Sequence, residues 1–540
     1  MGRVVVVGLD GATWRVIHPL AQAGHLPTLR TLLQEGAWAV LRSVTPPLSP
    51  PAWTTFMTGA NPGKTRIYDF IGRRQDGRFY LVNGGWRALP SLWQLLSDAG
   101  YRVAVVNVPM TYPPEPVNGV LISGMDAPVK DRAVGYPADI HARVRQAGFA
   151  YRVDVPHSRL WPQSPDRYLG TYVQAVNELA LVHASVARWL WDAEQPDFLM
   201  VTLVHTDRVS HAAGRQLKDI TPEQIPHLPA DHPIVSAYRT ADIALAMLLE
   251  VLPKDTTLLV VSDHGFRPYD QVLNLNRWLY ETGWLDLDEA ALRPAAWRTW
   301  LAPVWQRVQY RLWRRRGVDL MQRSPFFRAI RWHRTRAYTF GAFGSIYINL
   351  QGRDPFGIVP PAMYDQVCEA LTAELLALRD PLTGHPVIRH VWRASEVYNG
   401  PFVHLGPDLL LDLAPGYFVR NALDEYRPEL FYPAGRYGTR ALEHTGMHDP
   451  EGILLVWGHR VSAQGEQPPV HIMDIMPTVL ALFDVPIPPY VDGHPLTRWC
   501  DITPRFAKTA EEHRAGDAGA EYDVQESELI IKRLRELGYL

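Results

Sequence analysis

Three short apolar runs in this chain each stop abruptly and give way to an acid. Val4 to Val7 leads to Asp10, and Phe198 to Val204 leads to Asp207. Leu258-Leu259-Val260-Val261 runs through Ser262 into Asp263-His264. Short runs of branched aliphatic residues without polar alternation fit strands buried on both faces. Between them the period lengthens to that of helices. Leu26 to Glu35 reads as a helix, with Pro27 in its first turn and Gly36 as its stop. Pro90 to Gly100, Val173 to Trp191 and Ser236 to Val251 read the same way, and Tyr101 to Val106 is a further strand ending near Asn107. This alternation predicts an α/β fold with a mostly parallel sheet covered on both faces.

Asp10, Asp207, His211, Asp263 and His264 then all fall just beyond strands, at the carboxyl edge where open α/β sheets bind ligands. Singly, each is a common turn, cap or core residue. If residues 207–211 are helical, Asp207 and His211 share a face, as i, i+4 pairs do. Their joint occurrence is what predicts a metal site. Later in the chain come Glu443-His444-Thr445-Gly446-Met447-His448 and an apolar strand over 453–457.

The remaining stretches are less regular. Residues 128–185 are polar and rich in proline, and read as an excursion from the core. Residues 295–337 mix five tryptophans with many arginines, Arg314-Arg315-Arg316 among them. They read as an insertion with a packed aromatic face, or as a basic lid or membrane-surface element. Arginines there could equally gather an anionic substrate. A core-like pattern resumes at 344–350, followed by helices over 361–379 and 472–483. The tail beyond about 505 is charged until a surface helix over 526–537. The expected division is a discontinuous catalytic core, 1–294 with 338–500, an insertion at 295–337 and a tail at 501–540.

Composition narrows the class without naming it. At 540 residues the chain exceeds one ordinary domain, and 47% hydrophobic with 20% charged residues is globular. A net charge of −2 gives no general attraction to nucleic acid. Two cysteines, Cys368 and Cys500, exclude a disulfide framework and a Cys-based zinc site. The apolar start is too short for a signal-peptide core, and no apolar stretch reaches the roughly 20 residues that span a bilayer. The expectation is cytoplasmic.

Ser49-Pro50 is a helix-start signal, because serine caps free N–H groups and proline at the first helical position has none to lose. A simple cap is the ordinary reading. The functional one is that a hydroxyl at a helix N-terminus sits where the dipole favours phosphate. Thr54 and Thr55 are the other hydroxyls in this stretch, and both would lie inside the helix.

Taken together, these motifs resemble the alkaline phosphatase superfamily, most closely its type I phosphodiesterase/nucleotide pyrophosphatase branch. The matching pieces are Val-Gly-Leu-Asp10-Gly, Ser49 with Trp53-Thr-Thr-Phe-Met-Thr-Gly59, Asp207-Arg-Val-Ser-His211, Ser-Asp263-His264-Gly and Gly446-Met-His448. Met473 to Leu480 and Val491 to Leu496 resemble a closing segment of the superfamily. The likeness spans residues 3–500, with gaps near 128–185 and 295–337.

The resemblance implies an alkaline-phosphatase-like three-layer α/β/α sandwich with inserted cap segments. It implies a two-metal hydrolase of small-molecule phosphodiesters or nucleotide-type pyrophosphates. Carried over motif by motif, Asp207, His211 and His448 would hold one divalent ion and Asp10, Asp263 and His264 the other. Ser49 would be the nucleophile, forming a phosphoseryl intermediate. Imidazole with carboxylate suits zinc, or manganese where oxygen dominates. Two ions about 4 Å apart can stabilise the attacking and leaving oxygens of an in-line displacement. His444 competes with His448, which is preferred because Asp449-Pro450-Glu451-Gly452 and a strand follow it directly.

Two departures stand out. Related diesterases usually carry threonine as nucleophile and, three residues on, an asparagine that contacts the phosphoryl oxygen. Here these positions are Ser49 and Ala52. Asn107 is the replacement donor proposed from sequence. A phosphomonoesterase or phosphomutase is therefore the runner-up. A sulfatase is disfavoured because Ser49-Pro50-Pro51-Ala52-Trp53 lacks that group's arginine. A non-catalytic, membrane-docked scaffold would not need the full ligand set.

Overall fold

The computed structural model describes residues 2–74, 76–129, 132, 134–155, 165–289, 325–341, 343–419, 429–434, 445–509 and 521–536. The chain forms two compact units. The first comprises 1–67, 83–268 and 437–520, and the second 68–82, 269–436 and 521–540.

The first unit is built on a ten-stranded sheet. Its order is Gly465–Glu466, Ala37–Arg42, Glu451–Gly458, Thr256–Val261, Arg3–Leu9, Phe198–Leu203, Val103–Val108, Gly119–Ser123 and Gly135–Tyr136, with Val470–His471 also paired to Ala37–Arg42. The five strands from Thr256–Val261 to Gly119–Ser123 run parallel. All residues of Phe198–Leu203, Thr256–Val261 and Val103–Val108 are buried, as the unbroken apolar runs predict. The helices Pro165–Glu194 and Pro233–Leu249 contribute Trp191, Tyr238 and Leu245 to the main hydrophobic core. The fold is α/β with a large, mostly parallel central sheet.

Register is what positions the site. Arg3–Leu9 lies between Thr256–Val261 and Phe198–Leu203, with Gly8 level with Val261 and Leu9 level with Leu203. Three neighbouring parallel strands thus end at one height, and the residues after them emerge together.

Two strands depart from what the pattern showed. Glu451–Gly458 enters antiparallel between Ala37–Arg42 and Thr256–Val261. Gly446–Asp449 pairs antiparallel with residues 265–268, setting His448 opposite Phe266. The 128–185 stretch is not wholly an excursion either, because Gly135–Tyr136 adds an edge strand beside Gly119–Ser123.

The second unit contains a four-stranded sheet ordered Ala337–Thr339, Ile346–Ile348, Leu409–Leu413 and Ile388–Arg393. It takes in residues 269–294 and 338–436, which the sequence pattern had grouped with the core. Residues 295–324, most of the Trp/Arg-rich stretch, lie outside the described residues. In its described end, Phe326 and Phe327 are buried, while Trp332 is only half-buried. The helix Val524–Glu536 also belongs to this unit and buries Ile530 and Leu534. Cys368 and Cys500 are buried free thiols. Among the described residues, no helix is long and apolar enough to cross a membrane.

Candidate active site

Asp10 follows the end of Arg3–Leu9, and Asp263 and His264 follow Thr256–Val261. Asp207 and His211 lie on the helix His205–Ala213, which starts two residues after Phe198–Leu203. His448 comes from the short strand Gly446–Asp449. All six are at least nine-tenths buried. His444 lies outside the described residues.

The six converge. His211 Nε2 is 3.0 Å from His448 Nε2 and 3.2 Å from Asp207 Oδ1, and His448 Nε2 is 3.4 Å from that oxygen. Next to them, His264 Nε2 lies 3.2 Å from Asp263 Oδ2 and 3.8 Å from Asp10 Oδ1. The rings of His264 and His448 stack with centroids 3.5 Å apart. The ligand atoms of Asp207, His264 and His448 lie within 4.8 Å of one another, as do those of Asp10, Asp263 and His264, so His264 sits where the two groups meet.

The hydrogen bonds around the cluster decide which lone pairs face inward. His211 Nδ1 is 3.1 Å from the Gly446 carbonyl, His448 Nδ1 2.7 Å from that of Pro47, and His264 Nδ1 3.0 Å from that of Gly265. A carbonyl can only accept, so each Nδ1 carries a proton and each ring turns its Nε2 to the centre. Asp10 Oδ1, Asp207 Oδ1 and Asp263 Oδ2 are buried there without a hydrogen-bond donor. Buried carboxylate oxygens gathered together repel unless protons or a cation lie among them, and with three Nε2 atoms beside them the donor set fits divalent metal ions.

The electrostatics agree. Burial, reinforced by the charges of Asp263 and Asp207, raises the Asp10 carboxyl well above the usual range. Burial and Asp207 push Asp263 up to about 8. Burial also opposes ionisation of Asp207, but His211 and His448 outweigh it and hold that carboxyl well below the usual range. Burial and neighbouring His264 push His448 down to about 3. Three acids and three imidazoles in one dry site are thus mutually frustrated as a bare set.

Ser49 joins this cluster, but not as a cap. Leu48 is the N-cap residue, and Ser49 is the first residue of the helix Ser49–Thr58. Its Oγ lies 3.3 Å from His264 Nε2. The helix end is poor in anion-binding donors, since Pro50 and Pro51 have no N–H and that of Ala52 bonds the Leu48 carbonyl. Thr54 donates to the Pro50 carbonyl at 2.6 Å, as expected for a hydroxyl inside a helix.

Asn107 stands apart. It is buried at φ 59°, and its Nδ2 contacts the Thr202 carbonyl at 2.9 Å and His183 Nδ1 at 3.2 Å. Both amide hydrogens are committed, which leaves none for a phosphoryl oxygen and removes the reason for choosing it. The sequence reading missed Trp53, whose Nε1 donates to Asp10 Oδ2 at 3.0 Å. It also missed Gly11, whose N–H reaches Asp263 Oδ1 at 3.3 Å. A tryptophan one helical turn after the serine was the available signal for the first.

The chain is similar in fold to the phosphonoacetate hydrolase of Sinorhizobium meliloti 1021. In complex with phosphonoformate that structure matches with a TM-score of 0.51 and 16% identity, covering 88% of this chain and 94% of the other. Its complex with phosphonoacetate matches at 0.50, with the same identity and coverage. The murine ectonucleotide pyrophosphatase/phosphodiesterase 5 matches at 0.48 and 12% identity, over 90% of this chain and 96% of the other. No curated protein matches the chain by sequence. The model of the type I phosphodiesterase/nucleotide pyrophosphatase family matches residues 4–450, and the chain belongs to that family of phosphoester hydrolases.

Proposed function

We propose that this protein is a two-metal phosphoester hydrolase acting on phosphodiesters or nucleotide-type pyrophosphates through a phosphoseryl intermediate. One observation carries the reading: six buried metal-ligand side chains converge beside a serine hydroxyl 3.3 Å from one of them. Asp207, His211 and His448 would hold one ion and Asp10, Asp263 and His264 the other. The mixed imidazole and carboxylate set suits zinc, with manganese as the alternative. When bound, the ions supply positive charge that favours the Ser49 alkoxide and the anionic phosphoryl group.

The chain's own residues do the rest. The helix Ser49–Thr58 presents Ser49 Oγ to the phosphorus. A serine oxygen–phosphorus bond forms as the bond to the leaving oxygen breaks on the opposite side, and water then cleaves the phosphoseryl ester. The Nδ1–H bonds to the Gly446, Pro47 and Gly265 carbonyls keep the three imidazoles oriented with Nε2 toward the cluster.

A phosphomonoesterase or phosphomutase is the second reading, favoured by Ala52 in place of a side-chain donor and by the two N–H-less prolines beside Ser49. Aryl phosphodiester, phosphomonoester and sulfate substrates assayed side by side with zinc and with manganese separate the two. The diester is expected to turn over fastest. A wide margin in favour of the monoester overturns the diesterase assignment.

A further inference from the structure

The residue that ties the serine's helix to the strand-end acids is Trp53. It lies four positions after Ser49, one turn along the same helix face. It is fully buried, and its ring meets Phe56 edge-on with centroids 5.5 Å apart. The ring runs over the strand Arg3–Leu9 at Gly8. A Cβ at Gly8 would fall 2.7 Å from the ring's Cη2 and 3.0 Å from Thr202 Oγ1, so glycine is what lets the indole lie there.

The indole has one polar atom, and it donates to Asp10 Oδ2 at 3.0 Å. The two oxygens of Asp10 are thereby divided. Oδ2 faces the indole, while Oδ1 is buried without a donor and points toward His264 Nε2 and the Asp263 carboxylate. A carboxylate with one oxygen held by an N–H donor presents the other as a single ligand instead of chelating with both. The same bond joins the helix that begins with Ser49 to the residue that follows the strand Arg3–Leu9, so it sets the height of the hydroxyl against the ligand cluster.

We infer that Trp53 is a positioning residue that makes Asp10 a one-oxygen ligand and holds the Ser49 helix in register with it. This rests on the proposed role of Asp10 as a metal ligand. A core tryptophan serving only to fill space would tolerate phenylalanine, which keeps most of the ring and loses only the N–H donor and part of the bulk.

The test is Trp53→Phe in the full-length protein, read by zinc and manganese titration calorimetry, metal content after dialysis, apo-protein melting and steady-state kinetics. The wild type is expected to bind two ions. In the variant, one ion is expected to bind about tenfold or more weakly while the other is retained. The apo-protein melting temperature should be little changed, and kcat should fall more than KM rises. Gly8→Ala, which displaces the ring without removing its N–H, should weaken the same ion and serves if Trp53→Phe does not fold. Asp10→Asn is the control. If it keeps both ions at full affinity, Asp10 is not a ligand and the parent reading falls. If it loses one ion while Trp53→Phe binds both like the wild type, the inference about Trp53 is overturned and the metal site stands.

Discussion

Ser49 Oγ and His264 Nε2 lie 3.3 Å apart although 215 positions separate them in the chain. The contact joins the first residue of a helix to a residue just past a central strand, and it places the hydroxyl against the ligand cluster.

Removing that hydroxyl tests the proposed chemistry directly. Ser49→Ala should lower kcat by roughly three orders of magnitude or more while leaving metal content unchanged. Ser49→Thr keeps a hydroxyl and should retain measurable turnover. Steady-state assay alongside metal analysis checks both, and wild-type rates in the alanine variant would exclude Ser49 as nucleophile.

Chelation should destabilise the first unit. Asp10, Asp207 and Asp263 are buried together, and a ligand bound at a hundred times its Kd adds about 2.7 kcal/mol to stability. Calorimetric melting with EDTA should show a transition several degrees lower than with zinc or manganese, restored on adding metal back. Identical melting curves would count against a structural ion pair.

Gly446 should be intolerant of any side chain. A Cβ there would lie 2.0 Å from Phe266 Cε1 and 2.5 Å from the Ser210 carbonyl, so the strand bearing His448 would have to move. The Gly446 carbonyl also accepts from His211 Nδ1. Gly446→Ala should therefore weaken binding of the ion assigned to Asp207, His211 and His448 and lower activity at least tenfold, as measured by metal titration and turnover.

Acid should unfold the protein partly through two histidines outside the ligand set. His183 Nε2 donates to the Arg152 carbonyl and its Nδ1 accepts from Asn107, while His205 Nε2 donates to the Ala237 carbonyl. Burial pushes both down to about 4 from an ordinary 6.5. The unfolded chain therefore binds more protons between these values. Their contribution is fully present above pH 6.5 and is lost as pH falls toward 4, by up to roughly 3 kcal/mol each. Urea unfolding at stepped pH should show this slope, and His205→Gln should flatten it.

Much of the fold was legible because it depends on local periodicity. Unbroken apolar runs of branched residues such as Val4–Val7 and Leu258–Val261 fit strands covered on both faces, and the acids after them mark an edge. From residues alone this identifies Asp10, Asp207, His211, Asp263 and His264 as one family of positions, and the resemblance adds His448 and Ser49. The unit boundary at Tyr269 was not legible, because strand-like patterning looks alike on either side of it.

What tertiary structure decided is which atoms face one another. Pairing between residues 265–268 and 446–449 is a long-range register, and no local pattern encodes it. The direction of Glu451–Gly458, the committed amide of Asn107 and the indole bond of Trp53 to Asp10 are equally non-local. The sequence by itself determined the residue types at the carboxyl edge of the sheet, because burial and period are properties of neighbours along the chain. Only the folded structure decided that three Nε2 atoms and three carboxylate oxygens share one dry site, because that depends on distances between segments hundreds of residues apart.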